Sequence, residues 1–377
     1  MDQDTSHNEV TAALSTSTIF ESLDTNTPCL LKVLLFFNPV SIPLALFEVS
    51  NRSNFSWELG FWRNKSSTMK ALGALFNLAF IRKQTDSHTI TIDKDIHHEL
   101  KNGLSYEDRQ LSFKNASIIL YDVWAQQRLE GLWLYEEWES CPYTAHALDL
   151  RDYFFANLMG SRIFKPPREF CELLRFYQQH LSKCNDMKEL AMTCGINRQA
   201  LAMADYGKEL MDVDVLISVH QAQAAESLGE PLKAIELNKQ AYSMQINENP
   251  QQLIELCYTA NNLGYSHTIA RLYEKAQEWF DISEKWWHLA VKSGDESGER
   301  PVRHIMAHAR CFMGLHNYAK VEDMLGICIS RLKTEYPLDW AMLAHVLFAQ
   351  ANLWSHRGQC AIAMGLEIKG HNAWMNR

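Results

Sequence analysis

The amino-acid sequence predicts a mainly α-helical protein, and three observations carry that expectation. Turn formers are scarce: 16 glycines and 10 prolines in 377 residues make about 7% of the chain, where roughly 12% is ordinary. That is too few for the many turns of a β-sandwich or barrel. Apolar residues recur at helical spacing from Asp108 onward, broken mainly at prolines. Small residues also follow several glycines at fixed distances, as they do where two antiparallel helices touch. The chain is 47% hydrophobic and 21% charged, a balance that fills a core, and its length allows two or three domains.

Residues 1–27 contain Asp2, Asp4, Glu9, Glu21 and Asp24 and no Lys or Arg, so this tail holds −5 of the net −9. It is expected to be disordered. It lacks the basic start and apolar run of a secretion signal, and a mitochondrial presequence would be basic; a cytoplasmic protein is expected, with the nucleus as the alternative. The apolar window from Cys29 to Val49 is broken by Lys32, Asn38, Pro39, Pro43 and Glu48. It reads as two short helices around a turn rather than a membrane span. Next, Met69, Leu72, Leu75, Phe76 and Ala79 mark a helix over Thr68 to Leu78. Leu78-Ala-Phe-Ile81 and Thr89-Ile-Thr-Ile92 flank a polar Arg82 to His88 in the pattern of a hairpin. Three helices followed by a hairpin give residues 28–105 the order of a small winged-helix-like domain. Residues 106–165 read as a helical connector.

Residues 166–377 read as a tetratricopeptide-like α-helical solenoid. Taking glycine as the marker of each interhelical turn, Gly229 is followed by Ala234 and Ala241, and Gly314 by Ala319. Gly264 leads to Ile269, Tyr273 and Ala276, and Gly358 precedes Cys-Ala-Ile-Ala. Cys184-Asn185-Asp186 is a weaker turn upstream. The intervals from Cys184 are then 45, 35, 50 and 44 residues, of which one approaches the 34 of a tetratricopeptide repeat. Each hairpin leaves an apolar side that the next one covers.

Three stretches resemble the C-terminal half of fungal NOD-like receptors, in which a nucleotide-binding module is followed by a winged helix, a helical connector and tetratricopeptide repeats. They are Leu30-Leu-Lys-Val-Leu-Leu-Phe-Phe-Asn-Pro-Val-Ser-Ile-Pro43, Tyr106-Glu-Asp-Arg-Gln-Leu-Ser-Phe-Lys-Asn-Ala116, and Trp138-Glu-Ser-Cys141 with His146-Ala-Leu148. The resemblance implies a regulatory and sensor half. Where that family shows an Ile-His-Arg-Leu-Val-Gln signature after the hairpin, this chain has Ile92-Asp-Lys-Asp-Ile-His97. No Gly-x-x-x-x-Gly-Lys-Ser/Thr occurs in the sequence, so no ATP, and no other cofactor, is expected.

Signs of chemistry are sparse. Nine cysteines form an odd set without a Cys-x-x-Cys pair, the usage of reduced thiols. His304, His308 and Cys311 fall at i, i+4 and i+7 of a helix after Pro301, a spacing open to zinc, but no fourth ligand is identifiable and no metal site is assigned. Glu136, Glu137 and Glu139 fit a solvated helix face better than a general acid. There is no Gly-x-Ser-x-Gly elbow and no Gly-x-Gly-x-x-Gly, and no catalytic residue is assigned. The expected function is non-catalytic: a protein or peptide partner held on the first helices of the repeats. Candidate contacts are His220, Gln223, Asn261 and Asn262, with Trp286 and Trp287 as aromatic anchors. Two alternatives remain: a winged helix reading DNA with Arg63, Lys65, Lys70, Arg82 and Lys83, and an enzyme with an unrecognised site. The acidic net charge makes nucleic acid and membrane surfaces unfavoured partners.

Overall fold

In the computed structural model the described residues are 24–48, 57–84, 88–129, 141–158, 164–204, 207–248, 252–294, 298–334 and 338–376. Most of the acidic tail lies outside them, as do Trp133, Trp138 and the Glu136, Glu137 and Glu139 cluster. Two compact units make up the chain, dividing between Val213 and Asp214.

The first unit begins with α1 (Asn26–Leu34), the short strand β1 (Ile42–Pro43), 3-10 turns at Leu44–Phe47 and Trp57–Arg63, α2 (Lys65–Asn77), β2 (Ile81–Lys83) and β3 (Thr89–Ile92). The strands pair antiparallel in the order β1-β3-β2, with Ile42 opposite Ile90 and Ile81 opposite Ile92. This helix–strand–helix–hairpin order is a winged-helix-like arrangement. β1 adds a strand beyond the expected hairpin, and β2 starts at Ile81 rather than Leu78, because Leu78 to Phe80 form a turn in which Ala79 has φ 58°. Asn64 caps α2 by accepting the Ser66 and Ser67 N–H groups at 3.0 and 3.4 Å. Leu72 and Leu75 of α2 are buried, as are Leu30, Leu31 and Leu34 of α1, and Trp62 stacks on Phe47 at 5.6 Å.

Behind the hairpin come α3 (Lys94–Gly103), α4 (Tyr106–Leu129), α5 (Thr144–Asn157), α6 (Arg168–Lys183) and α7 (Met187–Ala204). Phe113 of α4 is fully buried, its ring 4.9 Å from both Phe164 and Phe170. Two of the stretches that carry the receptor resemblance meet here. The Asn38 N–H donates to His146 Nδ1 at 2.9 Å, and the Phe37 ring stands edge-on to the same imidazole.

The remaining helices are α8 (Met211–Ser227), α9 (Pro231–Glu248), α10 (Leu253–Ile269), α11 (Tyr273–Ser293), α12 (Val302–Gly314), α13 (Tyr318–Leu332), α14 (Trp340–His356) and α15 (Cys360–Met375). In the second unit consecutive helices pair into hairpins that stack as a tetratricopeptide-like solenoid. α10 packs on α12, and α12 on α14.

The hairpin from α6 to α7 and the four that follow share one turn. Its central residue takes a left-handed conformation: Asn185 (φ 60°), Gly229 (81°), Arg271 (59°), His316 (58°) and Gly358 (74°). In all five the next residue's N–H bonds back to the carbonyl five positions earlier. Those bonds are Asp186 to Leu181, Glu230 to Ala225, Leu272 to His267, Asn317 to Phe312 and Gln359 to Trp354, at 2.8 to 3.0 Å. This closure satisfies carbonyls that a helix end would otherwise leave bare. The repeat is therefore regular, with turn centres 44, 42, 45 and 42 residues apart. The irregular intervals read from the sequence came from two misplaced markers: Gly264 lies inside α10 and Gly314 ends α12, so Ile269 and Ala319 are not the small residues of the repeat.

Measured from the true turn, the spacing expected of helical hairpins holds. Five residues on stand Leu190, Ala234, Ala276, Val321 and Ala363, all buried. Twelve residues on stand Asn197, Ala241, Ser283, Cys328 and Gly370, also buried. Three of these last side chains make the same bond, each donating to a carbonyl 26 residues back across the hairpin: Asn197 to Cys171 (3.1 Å), Ser283 to Cys257 (3.0 Å) and Cys328 to Val302 (3.8 Å). Seven residues before the turn, Gln178, Ala222, Gly264, Ala309 and Ala351 are buried as well. At Gly264 a Cβ would lie 2.8 Å from the ring of Phe280, itself fully buried. Gly264→Ala should therefore lose about 1–3 kcal/mol to overpacking, although Ala in an open helix would gain about 1 kcal/mol. The urea midpoint of the second unit reports the sign, and a stabilised variant would refute this packing.

Candidate functional groove

Lying side by side, the first helices of successive hairpins flank a groove in the second unit, a cavity of about 280 Å³. Ala309 and Met313 of α12, with Val321 and Leu325 of α13, supply apolar wall. Phe348 and Ala349 face them from α14, and Arg310, His345, Asn352 and His356 add polar groups. Arg310 and Asn352 each stand six residues before their turn, the position that Tyr265 and Gln223 hold in the preceding hairpins. The repeat thus places one residue per first helix in a row. Within it the Arg310 guanidinium donates from Nη1 to the Tyr265 hydroxyl at 3.1 Å and lies 5.8 Å from that ring's centre. His356 stacks on Tyr318 at 5.9 Å. Neither a carboxylate nor a thiol lines the groove; Arg310 is its one donor-only group, and the Asn352 amide and the His345 and His356 rings can donate or accept beside an apolar wall.

None of the six residues singled out from the sequence lines this cavity. His220 is 8% and Asn261 5% exposed, while Gln223 and Asn262 are half-buried. Gln223 shares the row of Arg310, and Asn261 stands ten residues before its turn, where Phe348 stands in its own hairpin. The two tryptophans part company. Trp287 is buried, and the half-buried Trp286 donates its indole N–H to the Tyr242 hydroxyl at 3.0 Å, tying α11 to α9. With Gly314 as the marker, the equivalence of Arg310 to Tyr265 and Gln223, six residues before each turn, does not show in the sequence. The signal that finds it is the buried small series, which continues through His316.

The remaining sequence candidates fall elsewhere. His308 lies between the Phe280 and Phe312 rings and bonds to the Gln277 amide oxygen at 3.0 Å. Cys311 bonds to the Tyr273 carbonyl and His304 meets the Tyr258 ring edge. The three are packed separately, and among the described residues no group of three His, Cys, Asp or Glu could hold a metal. Arg63, Lys65, Lys70, Arg82 and Lys83 are exposed, while α2 turns Thr68, Ala71, Leu72 and Leu75 inward. All nine cysteines are free thiols. Large pKa displacements belong to cores and arise chiefly from burial. It pushes His97 and His146 down to about 4, Lys101 to about 8 and His304 and His308 to about 3, and lifts Glu226 to about 7. No helix among the described residues is long and apolar enough to cross a membrane.

No protein-family model matches the chain, and no curated protein matches it. Among solved structures, a tetratricopeptide repeat protein from Parabacteroides merdae is similar over 67% of this chain and 80% of its own, with 17% identity and a TM-score of 0.39. A signal transduction ATPase with numerous domains from Pyrococcus horikoshii, which carries a tetratricopeptide repeat sensor, is similar over 99% of this chain, with 13% identity and a TM-score of 0.33. This chain spans 66% of that archaeal protein's length. With both TM-scores below 0.5, the fold assignment rests on the register of this chain's own helices.

Proposed function

We propose that the chain is a non-catalytic interaction protein whose second unit holds a segment of a partner protein in the groove between α12 and α14. The regular stacking of first helices carries this reading, because it lines an apolar groove with a few polar groups and brings no hydroxyl, thiol or carboxylate into it. The regulatory part, a sensor half resembling that of a NOD-like receptor, rests on the sequence stretches ending at Pro43, Ala116 and Leu148. Asn352 is exposed on the groove's edge, so Asn352→Trp fills the groove without disturbing a core. Partners recovered with the full chain from native extract should be lost with this variant while its melting temperature stays unchanged. Equal recovery with both proteins would end the proposal.

A further inference from the structure

Resting on that reading, we infer that the groove selects a peptide segment that sets a carboxylate beside a bulky apolar side chain. Charge comes first. Neither α12 nor α14 contains an Asp or Glu, while α12 carries Arg303 and Arg310. Arg310 is exposed and has no carboxylate partner among the described residues. A guanidinium has five N–H donors, and the Tyr265 hydroxyl engages Nη1 and holds the fork in place. A nearby acid, Glu322 of α13, is neutralised by Arg357 at 2.7 Å. The groove therefore offers a positioned cation, with the Asn352 amide and the His345 and His356 rings around it, and no fixed negative charge.

Size and lining settle the rest of the ligand. At about 280 Å³ the space is just below the range of small-molecule sites, roughly 300–1,000 Å³, and suits one large side chain with its neighbour. Met313 and Phe348 give that side chain an apolar seat; Phe348 is 37% exposed while its ring rests on Gly370. A cationic peptide would meet Arg310 with no acid to receive it. A phosphate calls for a cluster of arginines, and the groove has one.

Fluorescence anisotropy with the full chain tests this, using labelled octapeptides in which a Phe is flanked by two Glu, two Gln, two Lys or two phosphoserines. The Glu peptide should bind at least about tenfold tighter than the Gln peptide and tighter than the Lys and phosphoserine peptides. Arg310→Gln should remove that advantage, whereas Arg303→Gln, which leaves the groove alone, should keep it. Equal binding of the Glu and Gln peptides, a preference for phosphoserine or Lys, or an unaltered Arg310→Gln would overturn the partner chemistry. So would no binding of the Glu peptide up to about 1 mM. Asn352→Trp separates the two levels. Where the preference is not the expected one and Asn352→Trp still abolishes binding of whichever peptide binds, the groove stands and only the chemistry has failed; if binding persists in Asn352→Trp, the groove itself is wrong.

Discussion

Arg151→Ala should destabilise the first unit by about 3 kcal/mol, the lower end of the range for breaking a buried ion pair. The Arg151 side chain is 2% exposed. Its Nη1 donates to the Glu189 carboxylate and, at 2.8 Å, to Thr193 Oγ1; Nε and Nη2 donate to Asp152 at 2.9 and 2.6 Å. One guanidinium thus joins α5 to α7, and the bonds to both carboxylates hold its pKa above the usual value against the effect of burial. Removing it strips partners from two acids. Asp152 is 58% exposed and Glu189 25%, so both can recover some hydration, which keeps the cost from the upper end of the range. Hydrogen exchange of the full chain should show α5 and α7 amides exchanging about 100-fold faster, with α10 to α13 unchanged. Arg151→Met, which fills the space without a charge, should lose less. A loss below about 0.5 kcal/mol for Arg151→Ala would mean the bridge contributes nothing.

How much of this was legible follows from where the information sits. The winged-helix order was readable because Asn38-Pro39, Pro43 and the apolar alternation of Thr89 to Ile92 are local signals. The two-residue β1 was not, since Ile42 is a strand only by pairing with Ile90. In the repeats the small residues after each turn were visible, but the turns were sought as glycines. Arg271 and His316 adopt the left-handed conformation instead, and a side chain there announces nothing; the backbone bonds of the hairpin hold it. Gly264 misled for the opposite reason, because its glycine serves the close approach of Phe280 rather than a turn. Those two glycines lie seven and two residues before the true centres, which hides that Tyr265 and Arg310 occupy one position of the repeat.

The metal-like spacing of His304 and His308 has a different consequence: the second unit should lose stability in mild acid, and two variants should change that loss in opposite directions. Burial, aided by Arg300 and by Arg303 or Lys320, pushes both rings down to about 3. In the unfolded chain they titrate near 6.5. As pH falls below 6.5 the unfolded state takes up protons that the folded state refuses, at about 1.4 kcal/mol per pH unit for each ring. By pH 4.5 that amounts to roughly 5 kcal/mol. Glu226 acts in reverse. Burial against a single hydroxyl donor, Ser266, lifts it to about 7, so its contribution is complete below the unfolded value near 4.5 and is lost as pH rises through 7. Between pH 6.5 and 4.5 it returns roughly 3 kcal/mol, leaving a net loss from these three groups of about 2 kcal/mol. Glu226→Gln removes the offset and should steepen the acid loss, while His308→Phe keeps the ring stack with Phe280 and Phe312 and should make it shallower. Urea midpoints of the second unit at pH 7, 6, 5 and 4.5 decide the matter, since parallel curves for the three proteins would show that neither group titrates as its burial requires.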